Sequence, residues 1–149
     1  LVLYNLHLSA YTSDGKITEE QLKMLIADMS AEYGKGNYVI GGGDFNKDLL
    51  GDSAAVFGVN GGDYTWAQPI PDGMFANTGL TLVVPEGKNG PVPTCRNADG
   101  PYNPEQYILT VDGFIVSDNV RAENAEAIDT GFAYSDHNPI YMDFILKSE

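Results

Sequence analysis

Gly42-Gly43-Asp44-Phe45-Asn46 follows directly on the apolar run Tyr38-Val39-Ile40, and this junction decides how the chain is read. A short apolar strand that runs into glycines delivers Asp44 at its C-terminal end. In an extended segment Asp44 and Asn46 would share one face, at period two. A carboxylate and a carboxamide placed there can hold a water or a metal and donate to an anionic oxygen. The preceding glycines let a ligand approach the backbone closely. The plainer alternative is a strand-to-loop turn in which Asp44 and Asn46 cap local N–H groups. Two other readings fail on the residues. A calcium loop opening at Asp44 would need Gly in place of Leu49 and Glu in place of Ala55. A phosphate-cradling P-loop would need Lys and then Ser or Thr after the glycines, where Asp44-Phe45 stands.

Upstream of the junction, Leu1 to Leu8 forms a β-rich run. A helix follows it. Thr18 with Gln21 reads as a Thr-x-x-Gln capping box, Leu22, Leu25, Ile26, Met29 and Tyr33 recur at helical spacing, and Gly34 and Gly36 end the helix. Downstream, residues 47–106 are rich in Gly, Pro, Asn and Asp, with turns expected at Asn60-Gly61-Gly62-Asp63 and Pro71-Asp72-Gly73. A helical turn at Ala54 to Phe57 and a strand at Thr81 to Val84 are the elements expected within it. Strands are then expected over Tyr107 to Ser117, Val120 to Ile128 and Pro139 to Leu146. One helix between strands, then several strands with long loops, predicts an α/β layered domain.

Two later segments add candidate chemistry. Ser135-Asp136-His137-Asn138-Pro139 stands just before the last strand, and an adjacent acid and imidazole suit a site where one binds metal and the other moves a proton. A turn with an exposed histidine is the competing account of that segment alone. Val111-Asp112-Gly113-Phe114-Ile115-Val116-Ser117 places a carboxylate inside an apolar strand. Burying an ionised Asp is costly unless it is paired, and pairing with a histidine would repay the cost and raise the basicity of the imidazole. A strand-edge Asp facing solvent is the alternative. The chain holds only two histidines, His7 and His137, and both stand at the edge of strand-like runs beside polar residues.

Taken in order, these segments resemble the endonuclease/exonuclease/phosphatase superfamily, with its deoxyribonuclease-I-like fold. Asn5-Leu6-His7-Leu8 is similar to the family's Asn-x-His-Leu strand. Gly43-Asp44-Phe45-Asn46 and Ser135-Asp136-His137-Asn138-Pro139 match its Gly-Asp-Phe-Asn and Ser-Asp-His-x-Pro motifs. Val111 to Ile115 resembles its Asp-Tyr-Ile/Leu strand, with Gly113 and Phe114 as departures. The resemblance covers residues 1–149 as the C-terminal part of one such domain. It implies half of a four-layer α/β/β/α sandwich with mainly antiparallel sheet and flanking helices. The N-terminal strands that carry the family's Asn and its Glu metal ligand have no counterpart here.

The resemblance also implies a metal-dependent phosphoesterase in the intact parent protein. His137 would be the general base, or the group orienting the attacking water, with Asp112 fixing its tautomer. Asp136 would bind Mg²⁺ or Mn²⁺, Asp44 would position or deprotonate the nucleophile and lie at the metal, and Asn46 and His7 would donate to the phosphoryl oxygens. Arg96 is a further candidate phosphate contact, against the plainer role of a surface ion pair. A substrate could be a nucleic acid, a phospholipid head group or a small phosphorylated metabolite. The alternative function is a non-catalytic binding module on the same scaffold. Half of such a sandwich would expose an apolar sheet face, so the fragment is expected to dimerise or to need the missing N-terminal half, and to be inactive alone.

Composition limits these options. Lys and Arg total 8 against 21 Asp and Glu, a formal charge of −13. Such a chain repels phosphate backbones at long range, which excludes non-specific nucleic-acid binding by counterion release. A phosphate ester would need local neutralisation, and a divalent cation held by carboxylates supplies it. Cys95 is the single cysteine, so no internal disulfide forms. No apolar run is long enough to span a bilayer.

Overall fold

The computed structural model describes residues 1–10, 14–59 and 66–148. The expected turn at Asn60-Gly61-Gly62-Asp63 lies outside them. A mixed four-stranded sheet, in the order β1-β2-β6-β3, carries the candidate residues. Strands β1 (Val2–His7) and β2 (Val39–Asp44) pair in parallel, while β6 (Asp112–Ser117) runs antiparallel to β2 and to β3 (Leu80–Val83). A parallel pair needs a crossover, and helix α1 (Lys16–Gly34) provides it. The turn at Pro71 closes as expected, with Met74 N donating to the Pro71 carbonyl.

Helix α1 starts earlier than its sequence suggests. Gly15 stands at its N-cap in a left-handed conformation and no side chain caps it. Thr18 is instead buried and its hydroxyl donates to the Ser9 carbonyl, while Gln21 bonds both the amide and the hydroxyl of Ser9. The expected capping pair therefore ties the helix to the chain leaving β1. Leu22, Ile26 and Met29 are buried with Leu6, Val39, Phe45, Leu80 and Ile115, and Leu25 and Tyr33 pack against that core. Burying each such side chain stabilises the fold by about 1.5–3 kcal/mol before entropy is counted.

The helical turn expected after Asp48 is α2 (Ser53–Phe57), capped by Asp52, whose side chain accepts from Ala55 N. Asp48 accepts from the amides of Leu50 and Ser53 and from the Ser53 hydroxyl, so it anchors the loop after β2. The strand expected over Tyr107 to Ser117 is two strands. Strand β5 (Ile108–Leu109) pairs with β4 (Cys95–Arg96), and β6 begins at Asp112. Between them the carbonyls of Thr110 and Val111 accept from Leu49 and Phe45 of the loop after β2, which takes this backbone out of the ladder. Strands β7 (Val120–Ala127) and β8 (Ile140–Leu146) form a separate antiparallel hairpin, with an irregularity between Ala122 and Asn124. Its Val120 and Met142 pack with Ile40 and Val116 of the main sheet. The result is an α/β fold with mainly antiparallel pairing.

Candidate active site

Three of the candidate residues stand in one row. His7 pairs across β1–β2 with Asp44, and Asp44 pairs across β2–β6 with Asp112. Directly paired residues on neighbouring strands carry their side chains about 5 Å apart. Glycine makes the row possible at its centre. Gly43 has φ +142, and a Cβ there would lie 2.1 Å from the Leu6 carbonyl oxygen, so only glycine lets β2 lie this close to β1. At Gly113, a departure from the family's pattern, a Cβ would meet Leu49 Cδ1 at 2.6 Å and the Val83 carbonyl oxygen at 3.2 Å, so the Leu49 side chain would have to move.

His137 completes the cluster from the loop between β7 and β8. Its Nδ1 donates to Asp112 Oδ2 at 2.8 Å, and its Nε2 lies 3.9 Å from Asp44 Oδ2. His7 Nε2 lies 3.6 Å from the same Asp44 oxygen, from a side chain 77% exposed. The two carboxylates are far better enclosed, each 13% exposed. Enclosure raises the Asp44 pKa by desolvation, more than His137 and His7 lower it. The Asp112 hydrogen bond, helped by Cys95, pushes the His137 pKa up from 6.5 to about 11 against the opposing effect of burial.

Asn46 reaches Asp44 by a different route from the one the extended reading predicts. Strand β2 ends at Asp44, and Asn46 takes a left-handed conformation with φ 46, which short polar side chains tolerate. Its backbone N–H donates to Asp44 Oδ1 at 2.7 Å, and its side-chain amide donates to the Leu8 carbonyl at 2.7 Å and to Asp44 Oδ2 at 3.3 Å. The turn and the site are thus one structure here, with the Asn46 amide fixing the orientation of Asp44.

Asp136 and Arg96 stand apart from the row. The Asp136 carboxylate accepts from the Ser135 hydroxyl at 3.3 Å, and its backbone carbonyl accepts from Arg96 N. The Arg96 guanidinium donates to the carbonyls of Asn97 and Gly100 and forms no ion pair among the described residues. Carboxylate oxygens, of the kind Asp44 and Asp136 carry, are the donor type that a hard cation such as Mg²⁺ takes. No three His, Cys, Asp or Glu side chains converge on one metal position among the described residues.

Three residues outside the predicted set matter. Thr94 is fully buried, and its hydroxyl accepts from the backbone N–H groups of both Val111 and Asp112 at 3.0 Å, holding the start of β6 in place. Cys95 Sγ lies 3.5 Å from His137 Nε2, and Cys95 and His137 form a β-bridge. Asn138 secures the same join, donating from its side chain to the Pro93 carbonyl and from its backbone to that of Thr94. In the sequence only the adjacency Thr94-Cys95-Arg96 hinted at a role, through its arginine.

Neither a protein-family model nor a curated protein matches this sequence. Solved structures do. A mannosyl-6-phosphatase of Bacteroides thetaiotaomicron superposes with a TM-score of 0.56 at 19% identity, over 96% of this chain and 50% of that one. A 3′-5′ exonuclease of Neisseria meningitidis gives 0.66 at 16% identity, over 95% and 60%. An endonuclease/exonuclease/phosphatase family protein of B. thetaiotaomicron gives 0.58 at 19%, over 99% and 51%. This chain has the endonuclease/exonuclease/phosphatase fold. It spans about half to three-fifths of the length of the structures it matches. Within that fold, the row of His7, Asp44 and Asp112 lies at the ends of adjoining strands. Loops before β8 and after β2 bring His137 and Asn46 to it.

Proposed function

We propose that this chain carries part of the active centre of a phosphate-ester hydrolase, assembled in the intact parent protein. The observation that carries the reading is the register of His7, Asp44 and Asp112 with His137 held 2.8 Å from Asp112. An acid–imidazole pair beside a second carboxylate is the arrangement that takes a proton from water while fixing where the water lies. In the proposed step the water oxygen forms a bond to phosphorus, its proton passes to Nε2 of the neutral His137 imidazole, whose share grows as pH rises toward the raised pKa of about 11, and the ester oxygen leaves with the electron pair of the broken P–O bond. Asp112 keeps the proton on Nδ1 and stabilises the imidazolium that forms. Asp44 orients the water, and His7 and Asn46 donate to the phosphoryl oxygens, the latter by giving up its bond to Asp44. Asp136 and Asp44 would hold Mg²⁺ or Mn²⁺, which would neutralise charge on those oxygens.

The phosphatase and exonuclease activities in the names of matching structures support hydrolysis of phosphate esters as the class. A net charge of −13 favours a small phosphorylated metabolite or a head group over duplex DNA. On its own the chain is proposed to be inactive, with the remainder of the domain packing on the apolar residues that β8 leaves exposed. The test is hydrolysis of bis-p-nitrophenyl phosphate by the intact protein with Mg²⁺ or Mn²⁺. Turnover that His137→Ala abolishes is expected. Equal turnover in that variant would remove the mechanism.

A further inference from the structure

Lys47 is a buried cation that the reactive row does not use. Its side chain is only 2% exposed, and its ammonium forms neither an ion pair nor a hydrogen bond among the described residues. Burying an ammonium without a partner is costly, and burial accordingly lowers its pKa more than the nearby charge of Glu19 raises it. The Lys47 Nζ lies 3.4 Å from the position that a Cβ on Gly15 would occupy, so it stands against the N-cap of α1.

That helix end is itself short of negative charge. Helix α1 is 19 residues long, and no side chain caps its start. Lys16 N donates to Asp14 Oδ1 at 3.1 Å, and Glu19 N donates to the Gly15 carbonyl at 3.0 Å. The amides of Ile17 and Thr18, between them, find no acceptor among the described residues. The carboxylates close by are committed to other cations, Asp14 to Lys16 Nζ at 3.0 Å and Glu19 to Lys23 Nζ at 2.7 Å. A cap from position 15 is ruled out as well. Gly15 has φ +65, and a side chain there would crowd Gln68 Cγ at 3.2 Å. Aligned peptide dipoles leave a helix N-terminus with about half a positive charge. A buried ammonium set against it brings like charge to like, which is costly until an anion joins them.

We propose that Lys47 and the uncapped start of α1 form a binding site for inorganic phosphate, held by the Lys47 ammonium and the Ile17 and Thr18 amides. A tetrahedral dianion suits this set, because one oxygen can take the ammonium while others take adjacent amides. The enclosure of Lys47 favours a free ion over a phosphate carried on a larger molecule. The site uses none of His7, Asp44, Asp112 or His137, so it stands independently of the hydrolytic reading.

The experiment is an amide NMR titration of the full chain with sodium phosphate, without divalent metal, against sodium chloride at matched ionic strength. Phosphate should move the Ile17 and Thr18 amides saturably, and chloride should not. Lys47→Met keeps an unbranched side chain and removes the charge. It should weaken phosphate binding about tenfold or more, as expected for the loss of one charge-assisted hydrogen bond. In phosphate-free buffer the variant should unfold at the same temperature as wild type or a higher one, since an unpaired buried charge has gone. Glycerol 3-phosphate should bind at the same amides more weakly than phosphate, and the reverse order would overturn the assignment to the free ion. Equal phosphate affinity in wild type and variant, or equal movement under chloride, would overturn the site. Shifts confined to the neighbourhood of Arg96 or His137 would do the same. If Lys47→Met does not fold, the wild-type amides decide alone, and no saturable phosphate-specific movement at Ile17 and Thr18 means no site.

Discussion

Replacing Asp112 by Asn takes away the charge that accepts the His137 Nδ1 proton, and should lower both the imidazole pKa and the turnover. The imidazole pKa, pushed up to about 11 chiefly by Asp112, should fall back toward 6.5 in the variant, as read by NMR titration of His137. Turnover should fall on the order of 10²–10⁴-fold, because the neutral amide no longer supports the imidazolium. The same shift makes stability depend on pH. A raised histidine pKa means that the folded state binds the proton more tightly than the unfolded chain. The pair's stabilisation is thus complete below the ordinary value of 6.5 and lost as pH rises from there through about 11. Thermal unfolding of wild type and Asp112→Asn should converge over that window. At this scale the sequence revealed which residue types were present, since Asp112, Asp136-His137 and Asp44 stood out against apolar runs. It did not reveal Cys95 beside His137 or Thr94 beneath Asp112, because neither contact has a periodic or motif signature. Both arise from β4 packing against the loop before β8.

The strand β2 carries the element-scale prediction. Gly43→Ala would force a side chain into the Leu6 carbonyl at a positive φ, and should destabilise the domain by about 3 kcal/mol or more. A fall in thermal midpoint with a matching loss of far-UV structure near the transition would show it. The equivalent change at Gly51, where nothing lies within 4 Å, should cost less despite its φ of +82. Strand and helix existence was legible from periodicity, as β1, α1, β2, β7 and β8 were each expected close to where they lie. Boundaries that depended on side-chain partners were not. Thr18 looks like a cap locally and is drawn instead to the Ser9 carbonyl, and the run from Tyr107 breaks because Phe45 and Leu49 take its carbonyls. Tertiary hydrogen bonds overrode the local pattern in both places.

Across the whole molecule, apolar side chains remain uncovered where β8 ends and on β1: Phe144, Ile145, Leu146 and Leu3 are each more than a third exposed. Exposed rows of this kind associate, so sedimentation velocity should find this chain forming dimers as concentration rises, and Phe144→Lys should return it to monomer. A monodisperse monomer at high concentration would contradict that. The architecture was legible from four short motifs in order. The hollow lined by Arg96, Tyr102, Phe132 and Asp136 was not, since its walls come from two separate loops, after β4 and after β7, whose composition reads only as turn. The central claim is that His137 and Asp112 act as one catalytic unit. Its most direct test is the rate of phosphodiester hydrolysis by the intact protein carrying His137→Ala, Asp112→Asn, or both. Residues that work as a unit lose their contribution together, so the double variant should be no slower than His137→Ala alone. Losses that multiply, or wild-type turnover in either single variant, would contradict it.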